Sequence, residues 1–217
     1  IFVYYSIRKF RGFLVIRGII MLSYVNDPLF DSIEKNIIKH HQLYPLLPLR
    51  GVFWESVLNT SLLENGHETL WSPAGKGSHK VGADIEIIDD VEKSRISVKG
   101  GTLINKTTRP SVRISSFRTT DHLTLEDKLA HIDGDHEDII FSLAYIEPLK
   151  KEFFTHKYLL TMFTPLRFSS MGWVKDGSNW LGEGDNHSAS ITHSQSDQLW
   201  YTVPLDTVWD GREYILD

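Results

Sequence analysis

Cysteine is absent from the 217 residues, so disulfides, thiolate metal sites and cysteine nucleophiles are excluded. Any catalysis must use carboxylates, histidine, lysine, serine or a metal. A surplus of base is also missing: 28 acidic against 23 basic residues leave a formal charge of −5, which confines any polyanion-binding surface to a local patch. No apolar run reaches the ~20 residues of a membrane-spanning helix, because Arg8, Lys9, Arg11 and Arg17 interrupt the apolar opening stretch. Residues 1–25 therefore read as an N-terminal arm, either genuinely β-rich or an extended start ahead of Met21. Repeats, low-complexity tracts and Pro- or Gly-rich linkers are lacking too, which implies a single domain over 1–217, with no membrane association and a reducing cytoplasm permitted.

What is present is a helix–helix–strand–hairpin–helix–strand order. Asn26 is placed to cap a helix with Pro28 in its first turn and Leu29, Phe30, Ile33 and Ile37 on one side, ending near His41. A second helix is expected from about Gly51 to Asn65, closed by Gly66, with Val52, Leu58 and Leu62 on one stripe. Glu55 falls between Val52 and Leu58 and so points toward the core side, an odd place for a carboxylate. Thr69 to Trp71, Ala83 to Ile88 and Arg95 to Lys99 read as strands, a helix runs through Ile132, and Ile139 to Ile146 suits a buried strand. The expected fold is α/β: a mixed central sheet flanked by helices over about 26–146, followed over 147–217 by β-hairpins around Ser188 to His193 and Leu199 to Val203 and by loops, more a recognition surface than a core.

If the two hairpin strands pair symmetrically about a six-residue turn, Ile88 faces Arg95, Glu86 faces Ser97 and Asp84 faces Lys99, with all six on one face. Ile85, Ile87, Ile96 and Val98 take the other face and enter the core. A carboxylate opposed to an ammonium can be an exposed ion pair worth under about 1 kcal/mol. It can also be a site, because Mg²⁺ is held by one or two carboxylates and lysine can orient water and offset phosphate charge. Lys93 to Thr120 carries seven basic residues (Lys93, Arg95, Lys99, Lys106, Arg109, Arg113, Arg118) and no acid, which reads either as a phosphate-binding stripe or as a solvated face.

Gly82-Ala83-Asp84-Ile85-Glu86-Ile87, then Ile96-Ser97-Val98-Lys99-Gly100-Gly101, then Arg113-Ile114-Ser115-Ser116-Phe117-Arg118-Thr119-Thr120 leading into a helix, resemble the PD-(D/E)XK nuclease superfamily and within it the type II restriction endonucleases. In that family a hairpin carries the aspartate on one strand and an acid-x-lysine on the next, with helices on both sides. The resemblance implies catalytic roles for Asp84 and Lys99 and one or two Mg²⁺ ions held by Asp84 and the Val98 backbone carbonyl. Ser97 stands where the second acid belongs. Family members with serine there take a glutamate from a helix, which makes Glu55 the first candidate, Glu86 the second and Glu126 the third.

The implied reaction is hydrolysis of a DNA phosphodiester to a 5′-phosphate and a 3′-hydroxyl, by a prokaryotic cytoplasmic homodimer on a palindromic site, with a cognate DNA methyltransferase in the same system. Lys76, His79, Lys80, Lys106 and Arg109 are candidate phosphate contacts. Arg113, Arg118, Thr119, Thr120, His193 and Gln195 are candidate base readers, with an exposed loop the alternative for the last two. Met171 reads as a gap-filler or as a wedge between base steps. Two other readings stand beside this one: a structure-selective repair or junction nuclease of the same fold, and a DNA-binding module without catalysis, favoured by Ser97. The histidines show no convincing metal-ligand spacing, and the acidic turn Asp133-Gly-Asp-His-Glu-Asp138 lacks the order of a calcium loop.

Overall fold

The computed structural model describes residues 8–10, 22–71, 83–89, 93–104, 109–119, 124–133, 138–146, 156–163, 171–182, 187–193, 196–207 and 210–216. Among them the helices are α1 (Asp27–Leu43), α2 (Val52–Glu64) and α3 (Leu125–Asp133). The strands are β1 (Arg8–Phe10), β2 (Thr69–Trp71), β3 (Ile85–Ile88), β4 (Lys93–Ile104), β5 (Ser111–Thr119) and β6 (Ile139–Ile146), then β7 (His156–Phe163), β8 (Trp173–Asp176), β9 (Asn179–Gly182), β10 (Ser188–His193), β11 (Asp197–Pro204) and β12 (Asp210–Leu216). No described helix is long and apolar enough to cross a membrane.

The helices begin and end where local chemistry directs. The Asn26 side chain accepts the Leu29 N–H at 3.0 Å, and Gly66 follows α2 at φ +87, a conformation that costs glycine little. Glu64, at the end of α2, accepts from Ser32 Oγ at 2.5 Å and from Asn36 Nδ2 at 3.1 Å, tying α2 to α1. These bonds hold the Glu64 carboxyl down at about 2.

The described strands form one sheet in the order β1-β12-β7-β6-β4-β5-β11-β10-β9-β8, with β3 beside β4 and β2 beside β3. β4 and β6 run parallel, and the other described pairs are antiparallel. Alternation along β6 divides the core. Ile139, Phe141 and Leu143 join Ile85, Ile87, Ile96 and Val98 beneath α1 and α2, around the fully enclosed Trp54. Ile140 and Ala144 turn to the opposite face and pack with Leu125 and Leu129 of α3. The hairpin thus has a helix on each side, and the mixed α/β class with a central sheet is realised.

The C-terminal third departs from the sequence expectation. β7 and β12 extend the sheet beyond β6 and bury Tyr158, Leu160, Met162 and Tyr214 in the first core. Leu199, Tyr201 and Val203 of β11 fill the second core against β5. Period-two burial along β11, with Gln198, Trp200 and Thr202 on the other face, makes this region core as well as surface. β4 is likewise far longer than the stretch from Arg95 to Lys99, because Gly100 and Gly101 continue the strand. A Cβ on Gly101 would meet Ser142 Oγ at 2.8 Å and Val112 Cγ1 at 2.9 Å, so only glycine lets β5 and β6 close around it. At the opposite extreme of size, Met171 packs partly buried against the second core, its Sδ beside Gly182, as a gap-filler.

Gly101→Ala lowers stability by about 1–3 kcal/mol in chemical denaturation, and an unchanged midpoint would refute the close approach. His41, stacked on His156 at 3.8 Å and bonded to the Tyr158 hydroxyl at 2.9 Å, is lowered to about 4 chiefly by burial and then by His156. The unfolded chain takes up this proton first, so the stability is complete above the ordinary histidine value and is lost as pH falls toward 4. Melting at pH 7 and pH 5 is expected to show a smaller drop in His41→Gln than in the wild type; equal drops would show that His41 is not held neutral.

Candidate active site

The hairpin register is two residues away from the symmetric expectation. Ile85 opposes Ile96, Glu86 opposes Arg95 and Ile88 opposes Lys93, so Asp84 comes opposite Ser97, with its N–H on the Ile96 carbonyl at 3.0 Å. The turn is shorter than six residues because β4 begins at Lys93, and Asp89 is pinned to the β2 side by His67 Nδ1 at 2.7 Å. A slip of two keeps every side chain on its face. Lys99 therefore meets Asp84 on the diagonal, Nζ to Oδ2 at 3.5 Å, rather than directly across.

The edge of β4 explains why Asp84 stands where it does. β6 occupies one edge from Ile96 to Gly101, so β3, paired from Lys93 to Ile96, and β5, paired from Gly101 to Ile104, must share the other. Between them Ser97 to Gly100 has no described strand partner on that edge. Asp84 Oδ2 fills the place, accepting the Val98 N–H at 2.7 Å and Ser97 Oγ at 3.3 Å. An amide donating to a carboxylate in a half-buried setting is among the stronger hydrogen bonds. Strand geometry directs the N–H and C=O of one residue to the same edge, so the Val98 carbonyl shares this gap with the carboxylate.

Glu55 lies in the first turn of α2, half-buried, with Oε2 3.4 Å from the Trp71 indole nitrogen. Burial raises its carboxyl above the ordinary value, the Trp71 N–H lowers it, the Asp84 charge raises it further and the Lys99 ammonium opposes that rise. Glu55, Asp84 and Lys99 are thus within one another's field. Glu86 is exposed opposite Arg95, and Glu126 is exposed in the first turn of α3. Among the described residues no group of three His, Asp or Glu side chains converges. Two carboxylates and a carbonyl still suit Mg²⁺, which keeps several waters and takes further oxygens from a phosphate. Oδ2 of Asp84 is the oxygen that meets Val98, Ser97 and Lys99, leaving Oδ1 as the donor for a cation.

Three members of the basic stripe, Arg95, Lys99 and Arg109, are met by acids of the fold. Arg95 is bidentate on Asp138, and Arg109 is bidentate on Asp206 at 3.1 and 3.0 Å, so the Arg109 charge is engaged within the fold. His193 is tied to Asp197 at 2.7 Å, while fully buried Lys128 of α3 donates to the Asp197 carbonyl at 3.4 Å. Arg113 lies over the Trp200 ring. Lys76, His79, Lys80, Lys106, Thr120 and Gln195 fall outside the described residues, and Arg118 and Thr119 are placed as backbone in β5. Trp71 packs partly buried against the first core and also donates to Glu55, a role that nothing local in the sequence marks. No protein-family model, curated protein or solved structure matches this chain.

A carboxyl raised by burial and by a neighbouring carboxylate destabilises the fold once it ionises. As pH rises, the unfolded Glu55 ionises first, and stability is lost between its ordinary value and its raised one. Glu55→Gln is accordingly expected to melt higher than the wild type at pH 7, with the gain vanishing near pH 4. A variant that melts lower at pH 7 would contradict the strained carboxyl pair.

Proposed function

We propose that the chain is a magnesium-dependent DNA endonuclease of the type II restriction kind, with Asp84, Glu55 and Lys99 as its catalytic residues. The observation that carries this reading is the Asp84 carboxylate held by the Val98 N–H against Lys99 Nζ, with the Glu55 carboxyl in its field, at an opening in the sheet edge. Asp84, Glu55 and the Val98 carbonyl would hold Mg²⁺, which supplies Lewis-acid polarisation of the phosphoryl group. Lys99 Nζ orients the attacking water and offsets charge on the phosphate as it builds. Asp84 in turn fixes the ammonium in position. The Val98 N–H and Ser97 hydroxyl pre-organise Asp84, so the carboxylate does not have to reorder when DNA arrives.

The hairpin with α2 on one face and α3 on the other supports the same reading, as does the two-residue slip that keeps Asp84 and Lys99 together. One site per chain implies a homodimer on a palindrome, acting in a prokaryotic cytoplasm beside a cognate methyltransferase. A second reading, selection of DNA by structure rather than sequence, is favoured by a cleft of about 510 Å³ beside Lys99, lined by Gly100, Arg50 and Arg113.

Digestion of plasmid and phage DNA in Mg²⁺ or EDTA, with fragment ends sequenced, tests the proposal. Cutting is expected only with Mg²⁺, leaving 5′-phosphates, and is expected to fall by at least about 100-fold in Lys99→Ala and Glu55→Ala while Glu86→Ala retains it. Discrete fragments define a restriction site, and heterogeneous ends support structure selection. A wild type that binds DNA without cutting any substrate would reduce the chain to a binding module.

A further inference from the structure

One residue beyond Lys99, Gly100 and Gly101 line a cleft of about 510 Å³. That volume is in the ~300–1,000 Å³ range of small-ligand pockets, enough for a nucleotide and not for a duplex. A Cβ on Gly100 would meet nothing within 4 Å, so its main chain is open to an occupant. Two of the walls share a construction. Arg50 Cζ lies 5.3 Å from the centroid of the Tyr145 ring, and Arg113 Cζ lies 4.9 Å from that of Trp200.

The pairing of arginines elsewhere gives this its meaning. Arg95, Arg109 and Arg212 are each neutralised by an aspartate, Asp138, Asp206 and Asp27. Among the described residues neither Arg50 nor Arg113 has a carboxylate partner, and no carboxylate lines the cleft. Arg113 donates to Ser190 Oγ at 3.4 Å. In an acidic chain, two arginines held over rings rather than spent on aspartates leave N–H groups for an oxyanion. The rings that carry them are surfaces on which a base can stack.

We propose that this cleft is a nucleotide subsite, taking a phosphate between Arg50 and Arg113 and the attached unpaired base against the Trp200 or Tyr145 ring. A base inside a duplex is covered on both faces by its neighbours and must leave the stack to reach a ring. The protein therefore favours DNA with an unpaired nucleotide over a perfect duplex. The inference rests on DNA being the ligand in the reading above, and not on cleavage.

Fluorescence anisotropy in EDTA tests it, with one labelled sequence as a perfect duplex, as the same duplex with a single unpaired nucleotide, and as a single strand. Both forms with unpaired nucleotides are expected to bind at least about tenfold tighter than the duplex. Arg50→Ala and Arg113→Ala, each checked by thermal melting, are expected to bring the three forms to within about twofold of each other. Against the wild type, a nucleoside monophosphate is expected to compete well and inorganic phosphate poorly, which tests the subsite even where a variant folds badly. Equal affinity for all three forms, or a preference that survives both arginine variants, overturns the subsite. Binding of the monophosphate without binding of any oligonucleotide makes the ligand a free nucleotide and overturns the strand-borne form of the proposal. Lys99→Ala is expected to keep the preference. A wild type with the preference but no Mg²⁺-dependent cutting overturns the nuclease reading alone, and cutting without the preference overturns the subsite alone.

Discussion

The Asp84 carboxylate is where the sheet and the site depend on one hydrogen bond. β4 serves two strands along a single edge, β3 in its first part and β5 in its last, and between them the Val98 N–H has no strand partner among the described residues. A buried amide left without an acceptor costs roughly 1–3 kcal/mol. Asp84 removes that cost and is itself fixed in the act. The side chain that completes the ladder is the one presented to Lys99, so the geometry of the site is inherited from the pairing of the sheet.

The hairpin's two faces were legible because alternation of Ile85, Ile87, Ile96 and Val98 against polar neighbours is a local property of the chain. Its register was not, because register depends on where the turn is pinned, and Asp89 is held by His67, 22 residues away. A shift of two preserves faces, so Asp84 and Lys99 remain neighbours. It did alter the chemistry, since Ser97 rather than Lys99 stands opposite Asp84. The core role of β11 and β12 is hidden for another reason. Their partners, β5 and β7, lie far back in the chain, and a Ser-, Trp- and His-rich composition masks a burial pattern carried by every second residue of β11.

Charge shows most clearly how sequence and structure differ in what they disclose. Seven basic residues without an acid between them look like an exposed stripe, yet the acids that meet them come from elsewhere: Asp138 before β6 for Arg95, Asp206 after β11 for Arg109 and Asp84 before β3 for Lys99. A run of one sign in sequence carries no information about its neighbours in space. The informative cations are those the fold declines to neutralise, and a linear reading cannot distinguish them. Arg113 was one candidate among several, and Arg50, isolated between Leu49 and Gly51, stood in no pattern at all.

Arg50 and Glu55 lie on either side of the start of α2, which gives that helix a double position in the site. Gly51, at φ +52 and with no side chain to cap the helix, turns the chain sharply between them. Packing of Trp54, Leu58 and Leu62 into the first core fixes the axis of α2 relative to β4, and with it both the acid in the field of Asp84 and the guanidinium on the cleft wall. One rigid element thereby sets the positions of a guanidinium just before its start and a carboxylate in its first turn. Such adjacency is what the proposed phosphate-binding reading requires: burial and then the Asp84 charge work against an ionised Glu55, and among the described residues Arg50 has no carboxylate partner.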